Sequence, residues 1–142
     1  MANAPMSFSV TFNPTTATKV PERQFRVPVG CTVLTFTLST QGSEEPALFE
    51  SPPLLWHDPE AARKAFGEPK VAADQLSFTV QDSNQNSGKD PDHYGFSFSI
   101  LHGGQTYRPD PAIINDPPGS GSPAWRRLFQ WLQQRLEAWL PA

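Results

Sequence analysis

Cysteine is all but missing from this sequence. Cys31 stands alone, so no disulfide can form within the chain and a folded state has to rest on apolar burial. That suits a reducing compartment, and the expected localisation is cytoplasmic. An excess of positive charge is missing as well: 11 Lys and Arg face 14 Asp and Glu, for a formal net charge of -3. A surface that follows a phosphate backbone needs the opposite balance, so nucleic acid is not an expected partner. No stretch approaches the roughly 18 uninterrupted apolar residues of a membrane span. Residues 1–7 have neither a cationic start nor an apolar run of signal-peptide length. Internal repeats are also absent.

Catalytic signatures are equally scarce. There is no G-x-S-x-G elbow and no H-E-x-x-H helix, and neither Gly103-Gly104 nor the glycines of residues 119–122 have the spacing of a phosphate cradle. His57, His93 and His102, with Cys31 and several serines, supply the residue types of a nucleophile and its base. A catalytic group also needs a positioned partner, and nothing in the spacing provides one. The plainer reading makes Cys31 a small strand residue and the histidines loop or strand-end groups. No enzymatic activity and no cofactor are expected. A hydrolase built on Cys31 or a histidine stays as an alternative, tested by whether an alkylating reagent reaches Cys31 in the folded protein.

What the chain does have is alternation. Among its 142 residues, 37% are hydrophobic and 11% aromatic, and they recur at a period of two. Phe8, Val10 and Phe12 alternate with Ser and Thr; so do Leu34, Phe36 and Leu38, then Leu76, Phe78 and Val80, then Tyr94, Phe96, Phe98 and Ile100. Each is the pattern of a strand with one buried face. The 16 prolines, more than double the usual ~5% of residues, read as punctuation between short strands. Pro28 cannot donate to a ladder, which makes the piece around Phe25 and Val27 an edge strand or a bulged one. Residues 46–56, with Pro52-Pro53, read as a kinked extended segment that delivers Trp56 into the core as its anchor. Asp58-Pro59-Glu60 supplies a cap, a first-turn proline and an acid for a short helix ending by Gly67. The runs ending at Val80 and beginning at Tyr94 suggest a β-hairpin, and Gly103-Gly104 suggests a tight turn after it. The expected architecture is mainly β: an antiparallel β-sandwich over residues 1–118 with one short internal helix.

The segment Tyr107-Arg108-Pro109-Asp110-Pro111-Ala112-Ile113-Ile114-Asn115-Asp116-Pro117-Pro118 resembles the signature of the small bacterial DP-EP proteins. In that family Asp-Pro and Glu-Pro pairs bracket an apolar stretch ending in Asn; here Asp116 replaces the glutamate. The stretch from Asp82 through Tyr94 to Gly104 and the approach to Trp56 are similar too, so the likeness covers roughly residues 6–118. It implies an immunoglobulin-like sandwich and assigns no biochemical activity. Read physically, each Asp-Pro pair pushes its aspartate toward extended geometry and offers a carboxylate to local backbone N–H groups. The pairs would thereby frame a last short strand over residues 112–115.

Two further features bear on partners. Asp82, Asn84, Asn86, Gly88, Asp90 and Asp92 gather hard oxygen donors of the kind calcium takes, but Ser87 and His93 occupy the positions where an EF-hand loop has glycine and glutamate. Turn chemistry explains the run as well. The other feature follows a Gly/Ser joint at residues 119–122. Over residues 123–142, Trp125, Leu128, Phe129, Leu132, Leu136, Trp139 and Leu140 fall on one stripe of an α-helix, with Arg126, Gln130, Gln133, Gln134 and Glu137 opposite. The stripe can pack on its own sandwich, on a second copy or on another protein. A glutamine-rich polar face makes a membrane surface the least suitable seat. The function expected is a non-enzymatic bacterial module whose C-terminal helix mediates self-association or protein binding. The alternative is a carbohydrate- or calcium-binding adhesion module using the 82–92 loop or the aromatics Trp56, Tyr94 and Tyr107.

Overall fold

The structure, a computed structural model, describes residues 5–30 and 32–118. Cys31, the Gly/Ser joint and the stripe-bearing segment of residues 123–142 lie outside the described residues.

Nine strands and one helix make up the described chain: β1 Met6–Phe12, β2 Gln24–Val27, β3 Thr32–Thr40, β4 Leu48–Trp56, α1 Pro59–Ala65, β5 Lys70–Val71, β6 Ser77–Asp82, β7 Asp92–His102, β8 Gln105–Tyr107 and β9 Ala112–Asn115. One sheet has the order β1-β3-β6-β5; the other runs β2-β9-β7-β4, with β8 pairing β7. The two lie face to face. The apolar positions of the period-two runs point between them, and Phe12, Phe36, Phe49, Phe78, Phe96 and Phe98 are fully buried there. Phe36 lies at the centre, stacked on Phe78 at 4.9 Å and edge-on to Phe25 of the opposite sheet at 5.1 Å.

The sandwich differs from the expected one in its strand directions. β1 runs parallel to β3, and β2 parallel to β9, so both sheets are mixed rather than antiparallel. Period-two patterning marks a strand and its wet face but says nothing of its neighbour's direction, which the connections decide. For the same reason β6 and β7 do not form the expected hairpin. β6 pairs β3 in one sheet and β7 pairs β4 and β9 in the other, so residues 83–91 cross between the layers.

Local chemistry behaves as the residues dictate. Asp58 accepts the Ala61 N–H at 3.2 Å and caps α1, with Pro59 in its first turn. Gly103 and Gly104, at φ +58° and +75°, close the β7–β8 turn, where both central residues need the left-handed region. β2 stops before Pro28 and stands at a sheet edge. In β4 the register shifts between Phe49 and Leu54, where Pro52 and Pro53 have no N–H to give. Trp56 is not the core anchor. It is only partly buried, packing against the rim through Phe66 and Phe96, because β4 is an edge strand and its last residue reaches the end of the layer.

Candidate functional site

Three places hold the residues that carry chemistry. The first is a buried polar knot where β6, β9 and the crossing loop meet. Asp82, Asn84, Asn115 and Asp116 are all excluded from solvent. One Asp82 oxygen accepts both the Asn84 backbone N–H and the Asn115 side-chain N–H at 2.9 Å. Asn84, held at φ +30°, donates through its side chain to the Val27 and Asp116 carbonyls. Asn86 donates to the Asp90 and Asn115 carbonyls. Burial pushes the Asp82 carboxyl up to about 6, outweighing the two hydrogen bonds that pull it down. Tyr94 is also raised, first by burial, then by the negative charges of Asp92 and Asp82.

The run of oxygen donors is thereby divided. Asp82 and Asn84 are buried in the knot, Asn86 ties the loop, and Asp90 and Asp92 are exposed. Among the described residues no three carboxylate, imidazole or thiol groups gather around one point. The carboxylates of the two Asp-Pro pairs also find distant partners instead of local N–H groups. Asp116 takes Arg26 of β2 at 2.5 Å, and Asp110 accepts the Ser97 hydroxyl of β7.

That second contact belongs to a Ser97–His57–Asp110 cluster. His57 Nε2 lies 3.3 Å from Ser97 Oγ and 3.7 Å from Asp110 Oδ1. A hydrolytic triad sends the serine proton to one imidazole nitrogen and holds the other with the carboxylate. Here the serine donates to the carboxylate, and both face the same nitrogen. The cluster is open to water, with the His57 and Asp110 side chains 52% and 66% exposed. It fastens the Asp110-Pro111 turn to β7. The imidazole rests on Gly95, where an added Cβ would come within 2.7 Å of Nδ1. Gly95→Ala is expected to expel the ring and lose the His57–Ser97 bond, costing about 1 kcal/mol in a urea titration. An unchanged midpoint with the His57 NMR signals in place would refute this. His93 is exposed, and His102 reaches Ser43 at 3.1 Å at the other end of the sandwich.

The third place is a groove of about 440 Å³ at the open seam of the sandwich. Pro52, Leu54 and Trp56 of β4 form one wall; Phe66 and Pro69, on the way to β5, form the other; Arg63 of α1 and Glu68 stand beside it. Trp56 and Phe66 pack at 4.4 Å, with Tyr94 edge-on to Phe66 at 5.0 Å. The His57 N–H bonds to Gly95 of β7, so by alternation the backbone groups of Leu54 and Trp56 face away from β7, toward an edge where no described strand pairs them. Tyr107 is not part of this surface; it packs on Phe12 at the far end of the fold. Sequence reasoning singled out Trp56 but missed the groove, because its second wall comes from a loop with no pattern of its own.

No family model matches the chain, and no curated protein does. Among solved structures it is similar to the N-terminal domain of ORF48 of phage TP901-1, at 14% identity and a TM-score of 0.35, over 78% of this chain and 98% of that one. Among the described residues no helix is long and apolar enough to cross a membrane.

Proposed function

We propose that the protein is a non-enzymatic, cytoplasmic bacterial module, an immunoglobulin-like sandwich related to the DP-EP proteins, that binds an extended segment of another protein in the groove beside β4. The observation that carries the reading is the pairing of an apolar groove with a strand edge that no other described strand pairs. The edge at Leu54 and Trp56 offers backbone groups to a peptide, and the cavity walled by Trp56, Phe66 and the prolines takes one apolar side chain from it. Arg63, which lines the groove on α1, offers a positive partner to an acidic residue next to that side chain. The lone cysteine and the acidic balance support the compartment and the lack of a nucleic-acid partner.

The test is selection from a phage-displayed library of random peptides. Selected peptides are expected to share an acidic residue beside an apolar one and to shift the amide signals of residues 52–56 and 66–69. Arg63→Glu should weaken them by about tenfold or more, equivalent to roughly 1.4 kcal/mol. No enrichment over an unrelated bait, or shifts elsewhere on the surface, would remove the reading. A second reading, a carbohydrate ligand, draws on the same partly exposed Trp56 ring with Arg63 and Glu68 close by. A glycan array that yields a ligand lost in Trp56→Ala would favour it over the peptide.

A further inference from the structure

At one end of the sandwich the space between the sheets is lined by oxygen atoms. Inward positions of a sandwich strand are normally apolar. Along β6, Phe78 and Val80 follow that rule, but the next residue on the same face is Asp82. In β9, Ile113 lies in the core and Asn115, two residues on, takes the same face. β7 makes the same change at its start, where Asp92 precedes Tyr94 on that face and pairs in register with Asn115. Register partners project to one side, so Asp92 and Asn115 are neighbours. Asp82 and Asn115, 0% and 1% exposed, are joined by the 2.9 Å bond from Asn115 Nδ2 to Asp82 Oδ1. Their other oxygens, Asp82 Oδ2 and Asn115 Oδ1, are buried and have no hydrogen-bond partner among the described residues. Buried acceptors without a donor are rare, and a bound ion is one way to satisfy them. Asn115 also lines a pocket of about 180 Å³ between α1, the crossing loop and β7, together with Ser83, Asn86, Asp92 and Tyr94. Burial raises the Tyr94 phenol, and after it the negative charges of Asp92 and Asp82, which places both carboxylates near this pocket. Lys64 is the one cation on its wall, and it pairs with neither aspartate.

We propose that this end of the sandwich binds a calcium ion, with Asp82 Oδ2, Asn115 Oδ1 and the Asp92 carboxylate as its protein ligands. Calcium accepts a mixed set of carboxylate and amide oxygens, about six to eight in all, and the pocket leaves room for waters to complete the shell. The two carboxylates balance its charge. Without calcium, only a proton can offset the buried charge of Asp82; with it, the ion does so at neutral pH. The ion ties β6 of one sheet to β7 and β9 of the other where residues 83–91 cross between them. Asp90 takes no part: its carboxylate is exposed, and only its carbonyl is used, by Asn86. The third buried oxygen without a partner, Asp116 Oδ2, belongs to the carboxylate that Arg26 holds. The site shares no lining residue with the groove beside β4, so it is independent of what binds there.

The experiment titrates the full chain, freed of metal by a chelator, with calcium chloride at neutral pH, read by calorimetry and by the amide signals of 15N-labelled protein. One equivalent is expected to bind and to shift the signals of Asp82, Asp92 and Asn115. Asp82→Asn is expected to weaken binding at least tenfold with the circular dichroism of the parent retained. Asp92→Asn, an exposed position whose change leaves the fold alone, should weaken it several-fold, and Asp90→Asn should leave it unchanged. Absence of heat and of shifts at millimolar calcium would overturn the proposal, as would binding that survives both Asp82→Asn and Asp92→Asn. A loss in Asp90→Asn as large as in the other two would assign the calcium to the acidic loop as a diffuse counter-ion and overturn it as well.

Discussion

Phe36→Ala is expected to lower the free energy of unfolding by about 3–5 kcal/mol, the range for removing a fully buried aromatic ring. Phe36 touches rings on both layers: Phe78 at 4.9 Å, Phe25 at 5.1 Å, Phe8 at 5.3 Å and Phe98 at 5.8 Å. Its neighbours cannot all move inward, because each is held in a strand whose other contacts would break, so a cavity stays. Domains of this size have only about 5–15 kcal/mol to lose. A urea titration should place the midpoint far below that of the parent. Phe8→Ala is the internal comparison, since Phe8 of β1, beside Phe36, is only partly buried and should cost markedly less. Equal losses in the two variants would deny Phe36 its central place.

Asp82→Asn is expected to stabilise the protein at pH 7 by up to about 3 kcal/mol and to change nothing at pH 3.5. The carboxyl is raised from 3.8 to about 6 by burial. An acid raised in this way holds its proton more tightly folded than unfolded. Its contribution is therefore most favourable below 3.8 and is lost as pH climbs through about 6. Two units at 1.36 kcal/mol each set the scale. The hydrogen bonds name the atoms involved. Asp82 Oδ1 accepts from Asn115 Nδ2, while Asp82 Oδ2 and Asn115 Oδ1 are buried without partners. Protonating the carboxyl, or replacing it with the amide of the Asn variant, removes the buried charge that no donor on the second oxygen offsets. Nearby, Asp92 and the raised Tyr94 add no positive charge that would favour the carboxylate, and Arg26 is committed to Asp116. Other carboxylates titrate over the same range, so the quantity to measure is the difference between variant and parent across pH. A difference that is flat from pH 3.5 to 7 would show that Asp82 ionises freely.

Much of the sandwich was legible in the residues. Alternation located β1, β3, β6 and β7; Asp58-Pro59 announced α1; and the Asp-Pro frame placed β9 at residues 112–115. Pairing was not legible, since a run such as Phe78-Thr79-Val80 reads the same beside either neighbour. β5, two residues long, owes its strand form to β6 and has no pattern to find. Asp82, Asn84 and Asp116 looked like surface ligands and turn formers because their type usually is. Their burial comes from two sheets converging on one loop, and no local stretch records that. The groove was hidden for a related reason: Trp56 was visible, but its opposite wall of Phe66 and Pro69 is joined to it only by the fold.

The place of β9 has a consequence for how the chain is made. β2 is synthesised early, yet the strand that lies beside it begins 85 residues after its last residue, from Val27 to Ala112, and the final rung, Val27↔Asn115, spans 88. Until residues 112–115 have emerged, β2 and β7 have no common neighbour and each shows a bare edge. Closure of this sheet is thus a late, long-range event, and chains interrupted before that point should be the ones chaperones retain.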